Sequence, residues 1–167
     1  MKNLLNNTEN KRKVICVQGK IGAGKTLVMS TIASELKEEL NGELFSNYGL
    51  ANSQGVNELN SFRNIDSEKP YIVCFDEFEH VLNSDMERVC TFLEDVEEQN
   101  IIIFITSFAL ERLPQSILKV IDVNLVVKKE NDEKIKVTGI NVRFDKVIEI
   151  EVGKKYYDAF KIAKTFL

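Results

Sequence analysis

The sequence is short of the residues that several kinds of chemistry need. Histidine occurs once, as His80, which leaves a histidine metal site or a Ser-His-Asp triad without its side chains. Cysteine occurs three times, an odd number without metal-ligand spacing. Cys16 and Cys74 fall in apolar strand-like runs and Cys90 on the apolar face of a predicted helix, so all three read as reduced core thiols in a reducing compartment. Arginine is limited to Arg12, Arg63, Arg88, Arg112 and Arg143, too few for the arginine-rich lid of a nucleotide kinase. No Asn-Lys-x-Asp motif is present to read a guanine base, which argues against a GTPase. The longest apolar run, Ile101 to Ile105, suits a buried strand and falls far below a membrane span. Residues 1–13 are polar and end in Lys11-Arg12-Lys13, so no cleavable signal pattern is read there. A soluble, cytoplasmic protein is expected.

The rest of the composition is ordinary. At 167 residues, 44% hydrophobic and 29% charged, the chain suits one globular domain with a central sheet covered on both faces. The expected division is a flexible lead-in over residues 1–12 and one domain over 13–167. A net charge of −4 argues against a generally basic nucleic-acid coat protein but says nothing about local patches.

Against that background one stretch stands out: Gly19-Lys20-Ile21-Gly22-Ala23-Gly24-Lys25-Thr26. It fits G-x-x-x-x-G-K-[ST], a pattern that arises by chance in roughly one chain of this length in a few hundred. The flanks match the chemistry. Val14 to Val17 reads as a buried strand, and Val28, Ile32, Leu36 and Leu40 recur every fourth position as the core face of a helix. Asn41-Gly42 ends that helix. Glycines let the loop turn its N–H groups toward a phosphate, and the helix N-terminus adds positive charge there. Residues 19–26 are therefore the expected ATP-binding loop. Lys25 would reach the β- and γ-phosphates and Thr26 would hold Mg²⁺.

A second constellation follows Pro70. The apolar run Tyr71 to Phe75 ends in Asp76-Glu77. Asp76 is the expected second Mg²⁺ residue, and Glu77 can polarise a water for attack on the γ-phosphorus, as an ATPase requires. Glu79 and His80 read as surface residues. Thr106-Ser107 ends the Ile101–Ile105 run, where a hydroxyl can meet the γ-phosphate or the attacking water. Arg112 and Arg63 lie in predicted loops and are the better candidates for a charge-neutralising arginine.

Between the motifs, residues 47–69 form a polar stretch with a short helix expected around Val56 to Phe62. Ser84-x-x-Glu87 is a capping box expected to start a helix whose apolar face is Met86, Val89, Cys90, Leu93 and Val96. Leu113-Pro114 starts another. Val123 to Lys128, Lys134 to Val142 and Lys146 to Val152 read as strands, with Asn131-Asp132 turning the first pair into a hairpin. A last helix is expected from Tyr156 to Thr165. The whole is α/β: a mainly parallel central sheet flanked by helices, with a β-rich C-terminal extension. The polar 47–69 stretch with Arg63, together with Lys154, Lys155, Lys161 and Lys164, is the candidate nucleic-acid surface.

Taken together, these motifs resemble the FtsK/HerA group of P-loop ATPases, in particular its viral genome-packaging and zonular-occludens-toxin-like members. Phe45-Ser46-Asn47 after the first helix, Thr106-Ser107 and Tyr156-Tyr157-Asp158 add to the likeness. Ser107-Phe108 stands where that group commonly has a glutamine, and the membrane helix of the toxin-like branch is missing from the sequence. The resemblance implies an oligomeric ring, a hexamer, that pulls nucleic acid, as double-stranded DNA, using ATP and Mg²⁺ in the host cytoplasm. Two alternatives stay open: an AAA+-type loader or remodeller, and a small-molecule or nucleotide kinase.

Overall fold

A computed structural model describes residues 12–47, 56–58, 69–96, 100–131, 134–142 and 146–153. The chain runs β1 (Arg12–Gln18), α1 (Lys25–Leu40), β2 (Glu43–Ser46), β3 (Val56–Glu58), β4 (Tyr71–Phe75), α2 (Phe78–Asp95), β5 (Ile101–Ser107), a 3₁₀ turn (Leu110–Arg112) and α3 (Gln115–Leu118). It continues through β6 (Val123–Lys129), β7 (Lys134–Asn141) and β8 (Lys146–Gly153). One sheet joins all eight strands in the order β3-β2-β4-β5-β1-β6-β7-β8. The first six pair in parallel, and β6-β7-β8 pair antiparallel. This is the expected α/β architecture with a β-rich extension.

The central strands are apolar on both faces because both are covered, as parallel sheets require. Alternation along β1 shows the division. Ile15 and Val17 join the cluster built on α1, with Val28, Ile32, Leu36, Phe104 and Leu125. Val14 and Cys16 join the cluster on the other face, with Phe75, Phe78, Phe92 and Ile103. Every residue of β4 and β5 is buried.

Three boundaries differ from the expectation. Arg12 is the first residue of β1 and not part of a lead-in. It is 5% exposed, and its guanidinium donates to the Leu93 carbonyl. Residues 1–11 lie outside the described residues. In place of a helix around Val56 to Phe62, Val56–Glu58 is a strand, with Val56 opposite Leu44. Three residues carry too little periodicity to tell helix from strand, and the pairing with β2 decides. Helix α2 starts six residues before Ser84, with a break at Asp85 (φ −162°, ψ 73°). Asn41-Gly42 ends α1 as expected, with Asn41 in the left-handed region (φ 49°). Gly42 admits the Pro70 carbonyl, which a Cβ would meet at 2.5 Å. The expected helix at Tyr156 to Thr165 and the Tyr156-Tyr157-Asp158 element lie outside the described residues.

Candidate nucleotide site

The loop of residues 19–24 sits where β1 ends, between the sheet edge and the start of α1. Its glycines have separate causes. Gly22 (φ 76°) and Gly24 (φ 96°) occupy the left-handed region, where other residues pay a steric cost. Gly19 does not; it lies so near β6 that a Cβ would stand 2.4 Å from the Val127 carbonyl oxygen. Ala23 N–H donates to the Lys20 carbonyl at 3.1 Å, and Gly19 N–H to the Ser107 carbonyl at 3.2 Å. Lys25 folds over the loop, its Nζ donating to the carbonyls of Gly19 at 2.9 Å and Lys20 at 3.2 Å. Lys20 and Ile21 project from the loop, Ile21 being 89% exposed. A cleft of about 670 Å³ beside the loop is lined by residues 18–23, Phe108 and Val126–Lys129, among others.

Strand order then determines how the second motif meets the first. β5 lies between β1 and β4, so Asp76 at the tip of β4 reaches Thr26 past the tip of β5. Thr106 stands at that tip and bonds to the Asp76 carboxylate. Its hydroxyl donates to Asp76 Oδ1 at 2.6 Å and accepts the Glu77 N–H at 2.8 Å. Thr26 Oγ1 donates to Asp76 Oδ2 at 2.9 Å. A carboxylate and a hydroxyl in contact, with Asp76 only 6% exposed, make a hard oxygen donor pair. That pair fits Mg²⁺, which takes few protein ligands and completes its shell with water and phosphate oxygens. Thr26 and Asp76 would hold the ion, and the ion would neutralise charge on the phosphates.

Glu77 is exposed and lies at φ 50°, ψ 52°, immediately before α2. A left-handed conformation at a glutamate is strained, and such strain collects at functional positions. The next residue, Phe78, is fully buried against Phe75, with ring centroids 5.7 Å apart. That anchor fixes the turn which leaves Glu77 in solvent.

Three further side chains support this arrangement. Asn47, quoted above only for the resemblance, brackets the Asp76 backbone: Asp76 N–H donates to Asn47 Oδ1 at 2.8 Å, and Asn47 Nδ2 donates to the Asp76 carbonyl at 3.0 Å. Glu79, expected on the surface, is half-buried and accepts the Ser107 hydroxyl at 2.7 Å and the Phe108 N–H at 2.8 Å, both on Oε1. Gln18 Oε1 accepts the Leu110 N–H at 3.0 Å. Ser107 therefore faces Glu79, and Thr106 faces Asp76. In the sequence only proximity to the motifs hinted at Gln18 and Glu79, and only the resemblance at Asn47, because every partner is distant in the chain. The carboxylates also bear on the core. Burial, with Glu79's charge second, pushes the Cys16 thiol up to about 12, and burial, with Asp76 second, raises Cys74.

Arg112 is exposed in the 3₁₀ turn, its guanidinium carbon 4.3 Å from the Phe108 ring centroid, a cation–π distance. Arg88 is an exposed partner of Asp85, and His80 is exposed. Arg63, Arg143, Lys154, Lys155, Lys161 and Lys164 lie outside the described residues. Among the described residues no helix is long and apolar enough to cross a membrane.

Comparison with solved structures places this fold among known ones. The N-terminal domain of zonular occludens toxin from Neisseria meningitidis superposes with a TM-score of 0.60 at 15% identity, covering 88% of this chain and 97% of that one. The genome packaging NTPase B204 from Sulfolobus turreted icosahedral virus 2, in complex with AMPPCP, gives 0.61 at 8% identity, covering 84% and 97%. A KaiC-like protein from the hyperthermophilic archaeon Pyrococcus horikoshii gives 0.54 at 10%, covering 90% and 89%. At these identities the likeness is one of fold, and two of the three carry the names of the branch the motifs resemble. No curated protein matches the sequence. Residues 15–129, from β1 through the Asp76-Glu77 turn to the end of β6, match the family model described as the ATPase family associated with various cellular activities. The chain belongs to that family, AAA, and is an ATPase with a P-loop nucleotide site.

Proposed function

We propose that this ATPase couples Mg²⁺-dependent ATP hydrolysis to the translocation of nucleic acid, as the packaging motor of a viral genome, working as a homo-oligomeric ring. The observation that carries the hydrolytic part is Glu77: an exposed, conformationally strained carboxylate one residue from the Asp76–Thr26 pair. The cargo is argued from likeness, because the fold is shared with a genome packaging NTPase. In this reading the loop amides and Lys25 hold the phosphates, trading the Gly19 and Lys20 carbonyls for the triphosphate. Lys25 also draws charge from the γ-phosphate, and Glu77 accepts a proton from the attacking water. Thr106 and Ser107 fix the carboxylates about the reacting end, and Arg112 is the candidate to neutralise charge, across a subunit boundary.

Glu77→Gln should bind ATP with wild-type affinity and lose turnover by about 10²–10⁴-fold, the usual contribution of a general base. Hydrolysis by that variant at the wild-type rate removes Glu77 from the mechanism. Turnover stimulated by double-stranded DNA, in a species that elutes as a ring, is the outcome expected of a motor. The family match favours one other reading, an AAA-type loader or remodeller. Stimulation by a protein substrate with indifference to DNA would select it.

A further inference from the structure

Glu79 is assigned no contact with nucleotide, metal or water above, yet one of its oxygens takes two hydrogen bonds from the end of β5 and the turn beyond it. We propose that Glu79 is a positioning residue, coupling the Glu77 turn to the segment that carries Phe108 and Arg112; this rests on the ATPase reading. That oxygen, Oε1, accepts both the Ser107 hydroxyl at 2.7 Å and the Phe108 N–H at 2.8 Å. The Ser107 hydroxyl also lies 3.1 Å from the Ala109 carbonyl, so the same contact shapes the turn leaving β5. The Phe108 ring in turn carries the Arg112 guanidinium, 4.3 Å from its centroid.

At the other end, Glu79 is held as firmly. It follows Phe78, which is fully buried against Phe75, in the first turn of α2. Glu77 and Glu79 flank that anchor on one rigid turn, so a shift of the turn is felt at both. Hydrogen bonds to a charged acceptor are the strong ones, and a half-buried carboxylate with two donors sets their geometry. The link ties the water-activating position to the arginine-bearing segment through one side chain.

Amide hydrogen exchange by NMR on the full chain, together with steady-state phosphate release, tests the link. In Glu79→Ala the Phe108 amide should exchange at least tenfold faster, while amides at the centre of β5 keep their protection. Its kcat should fall tenfold or more, with KM within twofold of wild type. Glu79→Gln retains an acceptor oxygen and should keep Phe108 protected and at least half of kcat. Glu79→Asp, one methylene short of both donors, should behave as the alanine variant and serves if that variant fails to fold. Unchanged exchange at Phe108 in Glu79→Ala or Glu79→Asp overturns the proposal, as does a glutamine variant no better than alanine. Absence of phosphate release from the wild type would strike the ATPase reading, and the exchange at Phe108 would still decide the link.

Discussion

Gly19 and Gly22 share one motif but are glycine for different physical reasons. At Gly22 the constraint is the dihedral angle, φ 76°, with open space around a built Cβ. At Gly19 it is the Val127 carbonyl, 2.4 Å from that Cβ. Asparagine tolerates the left-handed region better than alanine does, so the two sites should respond oppositely to it. Gly22→Ala should cost about 1–2 kcal/mol, part of which Gly22→Asn recovers. Gly19→Ala should cost about 1–3 kcal/mol through displacement of the loop from β6, and Gly19→Asn more. Urea denaturation midpoints of the four variants check this, and recovery at position 19 by asparagine would refute the packing account. The motif fixes glycine at position 19 and leaves position 22 open; it does not announce that the need at 19 concerns β6 or that position 22 takes a left-handed turn. Asn47 and Gln18 were illegible for a related reason. They act on backbone atoms 29 and 92 residues away, and a backbone atom leaves no residue type to read.

Elements were legible where burial is periodic and illegible where caps compete. Helix α1 shows its fourfold stripe, and its buried apolar residues Val28, Met29, Ile32, Ala33 and Leu36 follow it. Helix α2 misleads because Ser84-x-x-Glu87 has the spacing of a capping box. The hydroxyl of Ser84 instead donates to the Val81 carbonyl at 2.7 Å, completing the first segment. The second segment is capped by its neighbour: Asp85 Oδ1 accepts the Arg88 N–H at 3.1 Å, and the extended backbone of Asp85 (φ −162°) suits a cap. Arg88 also pairs with the Asp85 carboxylate at 3.5 Å, a contact at the surface that adds little. Asp85→Ala should therefore destabilise the protein by about 1 kcal/mol, and Ser84→Ala by no more than about 0.5 kcal/mol. Thermal or urea unfolding of the two variants gives the ranking, and the reverse order would restore the sequence reading. β3 is the opposite case. Its three residues have no pattern of their own, and only the neighbouring β2 makes them a strand.

At the scale of the whole molecule, the class of fold was legible and the order of strands was not. Continuous apolar runs at Tyr71–Phe75 and Ile101–Ile105 imply strands covered on both faces. Nothing in those runs says that β5 lies between β1 and β4, and it is this order that brings Thr106 against Asp76. The two-faced core has a consequence that can be measured through its thiols. Cys16 lies in the cluster under α2 and Cys74 in the cluster under α1. Both are fully buried, whereas Cys90 is half-buried on α2. A neutral thiol reagent should therefore label Cys90 in the native protein, and Cys16 and Cys74 only at the rate of global opening. The same burial sets a sign for alkaline pH. The unfolded Cys16 thiol ionises near 9.0 and the native one near 12, and Cys74 is raised likewise. Between these values the unfolded chain releases protons that the native state still holds, so the two thiols leave stability unchanged below that window and lower it as pH rises through it. Each thiol should steepen the fall by up to about 1.4 kcal/mol per pH unit. Cys16→Ala with Cys74→Ala should flatten the alkaline limb of a stability–pH curve, and a limb of unchanged slope would show that the thiols are not sealed in the two cores.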